Sequence, residues 1–323
     1  MKVLMVVELL FLGGLETHVM ALCRQLMLRK HQVYVHVKHC IGPWRELLTE
    51  SGAILVDSPE EAGSLDLIHV HAWGKSPQRG ILWSQQHDLP LVVTYHGLFK
   101  GYVEHLVGKA EIISVSPRVQ QYLEVPSTVV ENGIELEQFP ASPLPFNRTV
   151  AWLGRLDGKR WLLLDTLFRA CRRSKIRCRV IGGLLTPTAI HLLSVYDHVE
   201  WHGAVFNIAP LLRDVDVVFS TSRGIREAMA SGRLAIVAND RYYGGLVEPN
   251  SLERLRSDSF MAWGQNLINP AIIAEDLLGL YSQPEYMSKV GRWGTAFAKE
   301  TFSAERMATE TEQVYHKALQ KTC

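Results

Sequence analysis

Several short segments carry residue types suited to holding an anion or moving a proton. Gly13-Gly14-Leu15-Glu16 stands between an apolar run and a helical stripe. Glycines there let backbone N–H groups approach an anion, and a helix N-terminus favours negative charge. The full G-x-G-x-x-G pattern is absent, so a dinucleotide is not indicated. Plain chain geometry is the competing account of Gly13 and Gly14. Gly154-Arg155-Leu156-Asp157-Gly158-Lys159 follows another apolar run. Arg155 and Lys159 on one strand-to-helix loop could hold a diphosphate without a metal ion. Arg160 directly after Lys159 excludes a Walker A loop. An ordinary solvated loop is the alternative.

His96 ends the run Val92-Val93-Thr94-Tyr95-His96-Gly97. That is the carboxyl end of an expected strand, where α/β folds bind ligands; a satisfied core histidine is the alternative. His69 and His71 end another strand and share one side of it. His-x-His can bind metal, but no third ligand stands at readable spacing, so no metal is expected. Gly182-Gly183 and His202-Gly203 end further strands and could set backbone beside a planar ligand. Glu227-Ala228-Met229-Ala230-Ser231-Gly232 reads as a helix with an acid in its first turn, where the helix dipole alone would favour it.

Alternating strands and helices must position these residues. Val3 to Val7 is apolar on both faces, as a buried parallel strand requires. Leu15, Val19, Leu22 and Leu26 then form a helical stripe. Strands are expected at Val33–Val37, Ile54–Val56, Leu67–Val70, Leu91–Tyr95, Ile112–Val115 and Thr128–Val130. Pro140, Pro143 and Pro145 then make a stiff joint. After it strands are expected at Val150–Leu153, Cys178–Ile181, Val199–Trp201, Val215–Phe219 and Leu234–Ala238, and the C-terminal stretch reads as helical. The pattern predicts two α/β domains, residues 1–143 and 147–305, with 306–323 returning as a helix to the first, and a cleft between the two domains.

Composition sets the outer bounds. The chain has 323 residues, 47% hydrophobic and 21% charged, enough for about two folded domains. Lys and Arg number 34 against 33 Asp and Glu, so nucleic acid is not the expected partner. No apolar run reaches the roughly 18 residues of a membrane span. Glu8 breaks the one stretch, Lys2 to Leu12, that could pass for a signal peptide. Cys23, Cys40, Cys171, Cys178 and Cys323 are odd in number and scattered, which fits a reducing cytoplasm.

In order along the chain, these motifs resemble the retaining glycosyltransferases of GT-B fold, glycosyltransferase group 1 (family 4-like). The matching segments are Gly13 to Glu16, Asp66-Leu67-Ile68-His69-Val70-His71, Thr94 to His96, Ser114 to Pro117, and Asn132-Gly133-Ile134. Further on come Gly154-Arg155-Leu156 with Lys159, the Glu227 to Gly232 helix, Gly244-Gly245 with Glu248, and Tyr315. The resemblance implies two Rossmann-like domains and transfer of a sugar from a nucleotide-diphosphate sugar. It implies Arg155 and Lys159 on the diphosphate, Glu227 on the ribose, His96 beside the donor sugar, Gly13 and Gly14 near the phosphate, and Gly183 and His202 flanking the base. Fixed cations would stabilise the leaving phosphate with no divalent metal and no other cofactor. UDP is favoured by family frequency.

The sequence departs from the family at the sugar edge. Where relatives carry a second glutamate before the helix, this chain has Phe219, and Arg223 matches an arginine of shorter relatives. Arg223 is therefore expected at the sugar or phosphate end, apart from the ribose contact. A sugar-nucleotide epimerase and a non-catalytic nucleotide-sugar binder are the alternatives on the same fold. The acceptor (glycan, lipid carrier, protein or small molecule) and the oligomeric state stay open. Peripheral contact with the inner face of a membrane through Arg24, Arg29 and Lys30 is a further expectation, against a plainly solvated helix face.

Overall fold

A computed structural model describes residues 1–11, 13–156, 160–184, 186–205 and 207–321. The chain divides into two compact units. One is Met1–Ile134 with Phe302–Cys323, and the other is Glu135–Thr301.

The first unit is built on seven strands: β1 (Lys2–Leu10), β2 (Gln32–Cys40), β3 (Ile54–Leu55), β4 (Leu67–Ala72), β5 (Leu91–Tyr95), β6 (Glu111–Ser114) and β7 (Thr128–Val129). They pair in the order β3-β2-β1-β4-β5-β6-β7, all parallel. The order reverses between β1 and β4, the switch point at which such sheets bind ligands beyond the strand ends. Val3 to Val7 are wholly buried, because helices cover both faces of a parallel sheet.

The C-terminal helix Ala304–Lys321 completes this unit. Met307, Val314 and Tyr315 join the core beside β1 and the helix Gly14–Leu28. Arg29 anchors the helix from outside, donating to Glu305 O at 2.7 Å and Thr309 Oγ1 at 2.8 Å and pairing with Glu312. One of the cations expected to face a membrane is thus engaged within the unit. Among the described residues no helix is long and apolar enough to cross a membrane.

The second unit repeats the scheme with β8 (Thr149–Leu153), β9 (Arg177–Ile181), β10 (Val199–Gly203), β11 (Val217–Ser220), β12 (Leu234–Ala238), β13 (Tyr242–Leu246) and β14 (Asn266–Leu267). Their order is β10-β9-β8-β11-β12-β13-β14, with the switch between β8 and β11. β13 and β14 are antiparallel and were not expected. The proline-bearing joint packs on this unit. The wholly buried Arg233 donates to Ser142 Oγ at 2.9 Å, Pro143 O at 3.0 Å and Val215 O at 3.0 Å.

Gly133 shows what binds the last helix into the first unit. Ile134 N donates to Phe302 O at 2.8 Å, and Ala304 N to Ile134 O at 2.9 Å. A Cβ on Gly133 would lie 2.6 Å from Ala304 Cα and 2.7 Å from Ser303 O, backbone atoms that cannot rotate away. Gly133→Ala should therefore destabilise the first unit by about 1–3 kcal/mol, the usual cost of overpacking. Urea unfolding followed by fluorescence measures it; an unchanged midpoint would contradict this packing.

Candidate functional site

In the first unit the site is a cluster of four imidazoles at the β1/β4 switch point. His69 and His71 lie in β4, His96 follows β5, and His18 lies on the helix after β1. His69 Nδ1 bonds Tyr315 Oη at 2.7 Å and its Nε2 bonds Thr94 Oγ1 at 2.7 Å. His71 Nδ1 and His96 Nε2 share a bond of 3.0 Å. His18 Nδ1 donates to Asn132 Oδ1 at 2.9 Å. Ring centroids are 4.5 Å apart for His69 and His71 and 4.6 Å for His18 and His96. His69 and His71 are fully buried and His96 half-buried.

Burial removes the water that would stabilise an imidazolium, and each charge would repel the next. His69 is pushed down to about 3 by burial, with His18 adding repulsion. His71 is held well below the usual range by burial and then by His69, His96 and His18; His96 by burial and then by His18 and His69. His96 therefore works near neutral pH as an uncharged ring that donates or accepts a hydrogen bond. The core and site accounts of His96 meet here: it is packed among buried groups and also stands at a strand's carboxyl end.

The Gly13-Gly14 loop lies beside this cluster at the end of β1. Gly13 is extended (φ 176°), a conformation any residue adopts. A Cβ on Gly14 would meet nothing within 4 Å, so the space over that helix start is open. Glu16 is buried and its Oε1 accepts from Phe11 N at 2.8 Å, fixing the turn.

In the second unit the groups gather after β8 and β11, again at the switch. Arg155 is exposed on the loop after β8; Lys159 lies outside the described residues. The helix Arg223–Ala230 follows β11. Arg223 Nε donates to Glu227 Oε1 at 2.6 Å, with both side chains largely buried. Burial holds the Glu227 carboxyl above its ordinary range and outweighs the lowering by Arg223.

One expectation needs correction. Glu227 is not in its helix's first turn, because the helix begins at Arg223; no acid occupies that turn, so the dipole-cap account fails. Arg223 and Glu227 are joined as an i,i+4 ion pair. Gly244 and Glu248, of the matching Gly244-Gly245 and Glu248 segment, make local packing and hydrogen-bond contacts. Gly244 lies in β13, where a Cβ would come within 2.8 Å of Leu255 Cδ2. The Glu248 carboxylate accepts from Tyr286 Oη.

Two other candidates also have local explanations. Gly182 (φ 115°) donates its N–H to Gly203 O at 2.6 Å, and a Cβ there would lie 2.4 Å from Gly154 O. These glycines and Gly183 (φ 74°) let neighbouring strand ends approach. His202 Nε2 lies 3.3 Å from Glu200 Oε1. Phe219, where the family's second glutamate would stand, is fully buried in the core.

Sequence reasoning missed His18. It follows Leu15 by three positions and precedes Leu22 by four, which puts it on the buried face of its helix.

The comparisons agree with this architecture. Residues 12–138 match the family model Glycosyltransferase Family 4. A glycosyltransferase from Rickettsia africae superposes with a TM-score of 0.76 at 16% identity, covering 99% of this chain and 98% of that one. HepE (Alr3699) from Anabaena, solved in complex with UDP-glucose, superposes at 0.74 with 17% identity, covering 98% and 99%. Its complex with UDP and glucose gives 0.76 at 16%, covering 98% and 99%. No curated protein matches the sequence. The fold is GT-B, with two Rossmann-like α/β units.

The cluster makes stability pH-dependent. An unfolded histidine takes a proton near pH 6.5, whereas His69 refuses it until about pH 3 and His71 and His96 also titrate far below 6.5. Their contribution is fully present above pH 6.5 and is lost as pH falls toward the folded values. Each refused proton costs about 1.4 kcal/mol per pH unit in that window. Denaturation between pH 7 and pH 5, with a chelator present, should show a steep loss for wild type and a shallower one for His71→Gln. Equal slopes would show that His71 is not held neutral.

Proposed function

We propose that the protein is a retaining glycosyltransferase that takes its sugar from a nucleotide-diphosphate donor, UDP favoured. The reading is carried by one observation: in each unit the chemistry-bearing residues collect at the switch point of the sheet. His69, His71 and His96 do so in the first, and Arg155, Arg223 and Glu227 in the second. The Glycosyltransferase Family 4 match and the shared fold of HepE, itself solved with UDP-glucose, support it.

In this reading Glu227 accepts from the ribose hydroxyls, which favours a ribonucleotide. Arg155 and Lys159 oppose the charge that grows on the leaving diphosphate, so the reaction needs no divalent metal. Arg223, drawn from Glu227 by the ribose, adds to that charge. His96 is uncharged and serves the donor sugar by hydrogen bonding. Retention in this reading comes from attack on the face the diphosphate leaves, with the phosphate taking the acceptor proton.

His96→Ala should keep fold and UDP affinity but cut transfer strongly, and wild-type transfer should survive EDTA. Turnover of donor without acceptor would mark an epimerase instead, and binding with no turnover on any acceptor a non-catalytic binder. The Arg223–Glu227 pair gives a sharper test. Glu227→Gln should weaken UDP by about 1–3 kcal/mol, one to two decades in affinity. Arg223→Ala leaves a buried carboxyl without its cation, so the double variant should lose less than the sum of the two. Calorimetric titration of UDP into the four proteins measures this; full UDP affinity in Glu227→Gln would remove Glu227 from the ribose.

A further inference from the structure

The histidine cluster also has the donor set of a transition-metal site. His18, His71 and His96 each offer one imidazole nitrogen, and these lie within 4.8 Å of one another. His71 Nδ1 and His96 Nε2 already face each other at 3.0 Å. Two nitrogens on one tetrahedral zinc ion, each about 2.0–2.1 Å from it, stand about 3.3 Å apart. An ion can therefore replace the shared proton with a small shift of the rings. That proton passes to the far nitrogen of the ring that held it.

The rest of the cluster fits this use. His71 Nε2 and His96 Nδ1 have no hydrogen-bond partner among the described residues, so moving the displaced proton to either of them breaks no bond. With His18 Nδ1 bonded to Asn132 Oδ1, Nε2 is the nitrogen that His18 would offer an ion. A hydrogen bond on the far nitrogen is the usual support of a metal-ligating histidine. His69 is not a ligand, since Tyr315 and Thr94 occupy both of its nitrogens. Three imidazoles and no carboxylate select zinc, cobalt, nickel or copper over magnesium and calcium, which take oxygen donors. All three come from the first unit, from β4, from the turn after β5 and from the helix after β1.

We propose that His18, His71 and His96 bind one transition-metal ion of the zinc class, and that the ion silences transfer by engaging His96. The second half rests on the transfer reading above; the first does not. Three protein ligands leave a tetrahedral ion one open position. The ion holds His96 through the nitrogen that would face the donor sugar or fixes the ring away from it.

Cobalt(II) chloride titrated into untagged, EDTA-stripped protein is the direct test. Wild type should bind one ion per chain, show the intense visible bands of tetrahedral cobalt and lose them to zinc. His18→Gln and His71→Gln should each abolish the bands, and Asn132→Ala should weaken binding about 10–100-fold, as loss of a supporting bond does. No stoichiometric binding by wild type overturns the site, as does binding unchanged in both histidine variants. If a histidine variant fails to fold, Asn132→Ala and the wild-type spectrum still decide. Zinc should also inhibit transfer, and EDTA should restore it. Zinc bound at the cluster with transfer unaffected overturns the switch. The cobalt arm uses no donor, so its failure is distinct from failure of the transferase reading.

Discussion

His18, His69, His71 and His96 occupy an interior in which an imidazolium would lose its water and a second one would be repelled by the first. The first unit's candidate site depends on that constraint. Because burial keeps His69, His71 and His96 uncharged near pH 7, the rings can lie close together and bond to one another and to Tyr315, Thr94 and Asn132. The partners come from distant parts of the chain: Tyr315 sits on the last helix and Asn132 just before the chain leaves the first unit. The Gly133 approach that seats the last helix therefore also seats the hydroxyl that orients His69. The same neutrality suits hydrogen bonding and metal ligation, and it excludes His96 as a fixed cation.

The second unit solves the opposite problem. It places a paired cation and acid on one helix. The Arg223–Glu227 pair is largely buried, and removing one member leaves the other costly to ionise. Under the proposed function a nucleotide that takes Glu227 must compete with Arg223, which would tie ribose recognition to the placement of positive charge. That coupling follows from where the helix begins. Ser222 has φ 48° and ψ −111°, an unusual conformation, and its N–H donates to Phe260 O at 3.0 Å. The turn after β11 is thereby short, and Arg223 falls one helical turn before Glu227.

Much of this was legible in the sequence because parallel strands buried on both faces leave continuous apolar runs, as in Val3 to Val7 and Leu234 to Ala238. The ends of those runs then pointed to His96 and Arg155. What was hidden had physical causes. β13 carries Gly244 and Gly245 within the strand, and glycines there read as a loop. His18 stands among the apolar residues of its helix, and a polar residue on such a face carries no local sign of its use. The cluster's histidines meet only through the sheet order, which places β1 between β2 and β4. The start of the helix at Arg223 depends on a backbone bond to Phe260 that no local pattern encodes.

In the proposed function a neutral His96, held by His71, serves the donor sugar. Long-range proton–nitrogen NMR of the imidazole nitrogens at pH 7, recorded free, with UDP and with a UDP-sugar that binds, tests it most directly. The account predicts a neutral ring pattern for His69, His71 and His96 in all three states, with the His96 nitrogens displaced by the UDP-sugar and little changed by UDP. A protonated His96, or a shift that UDP alone produces in full, would contradict it.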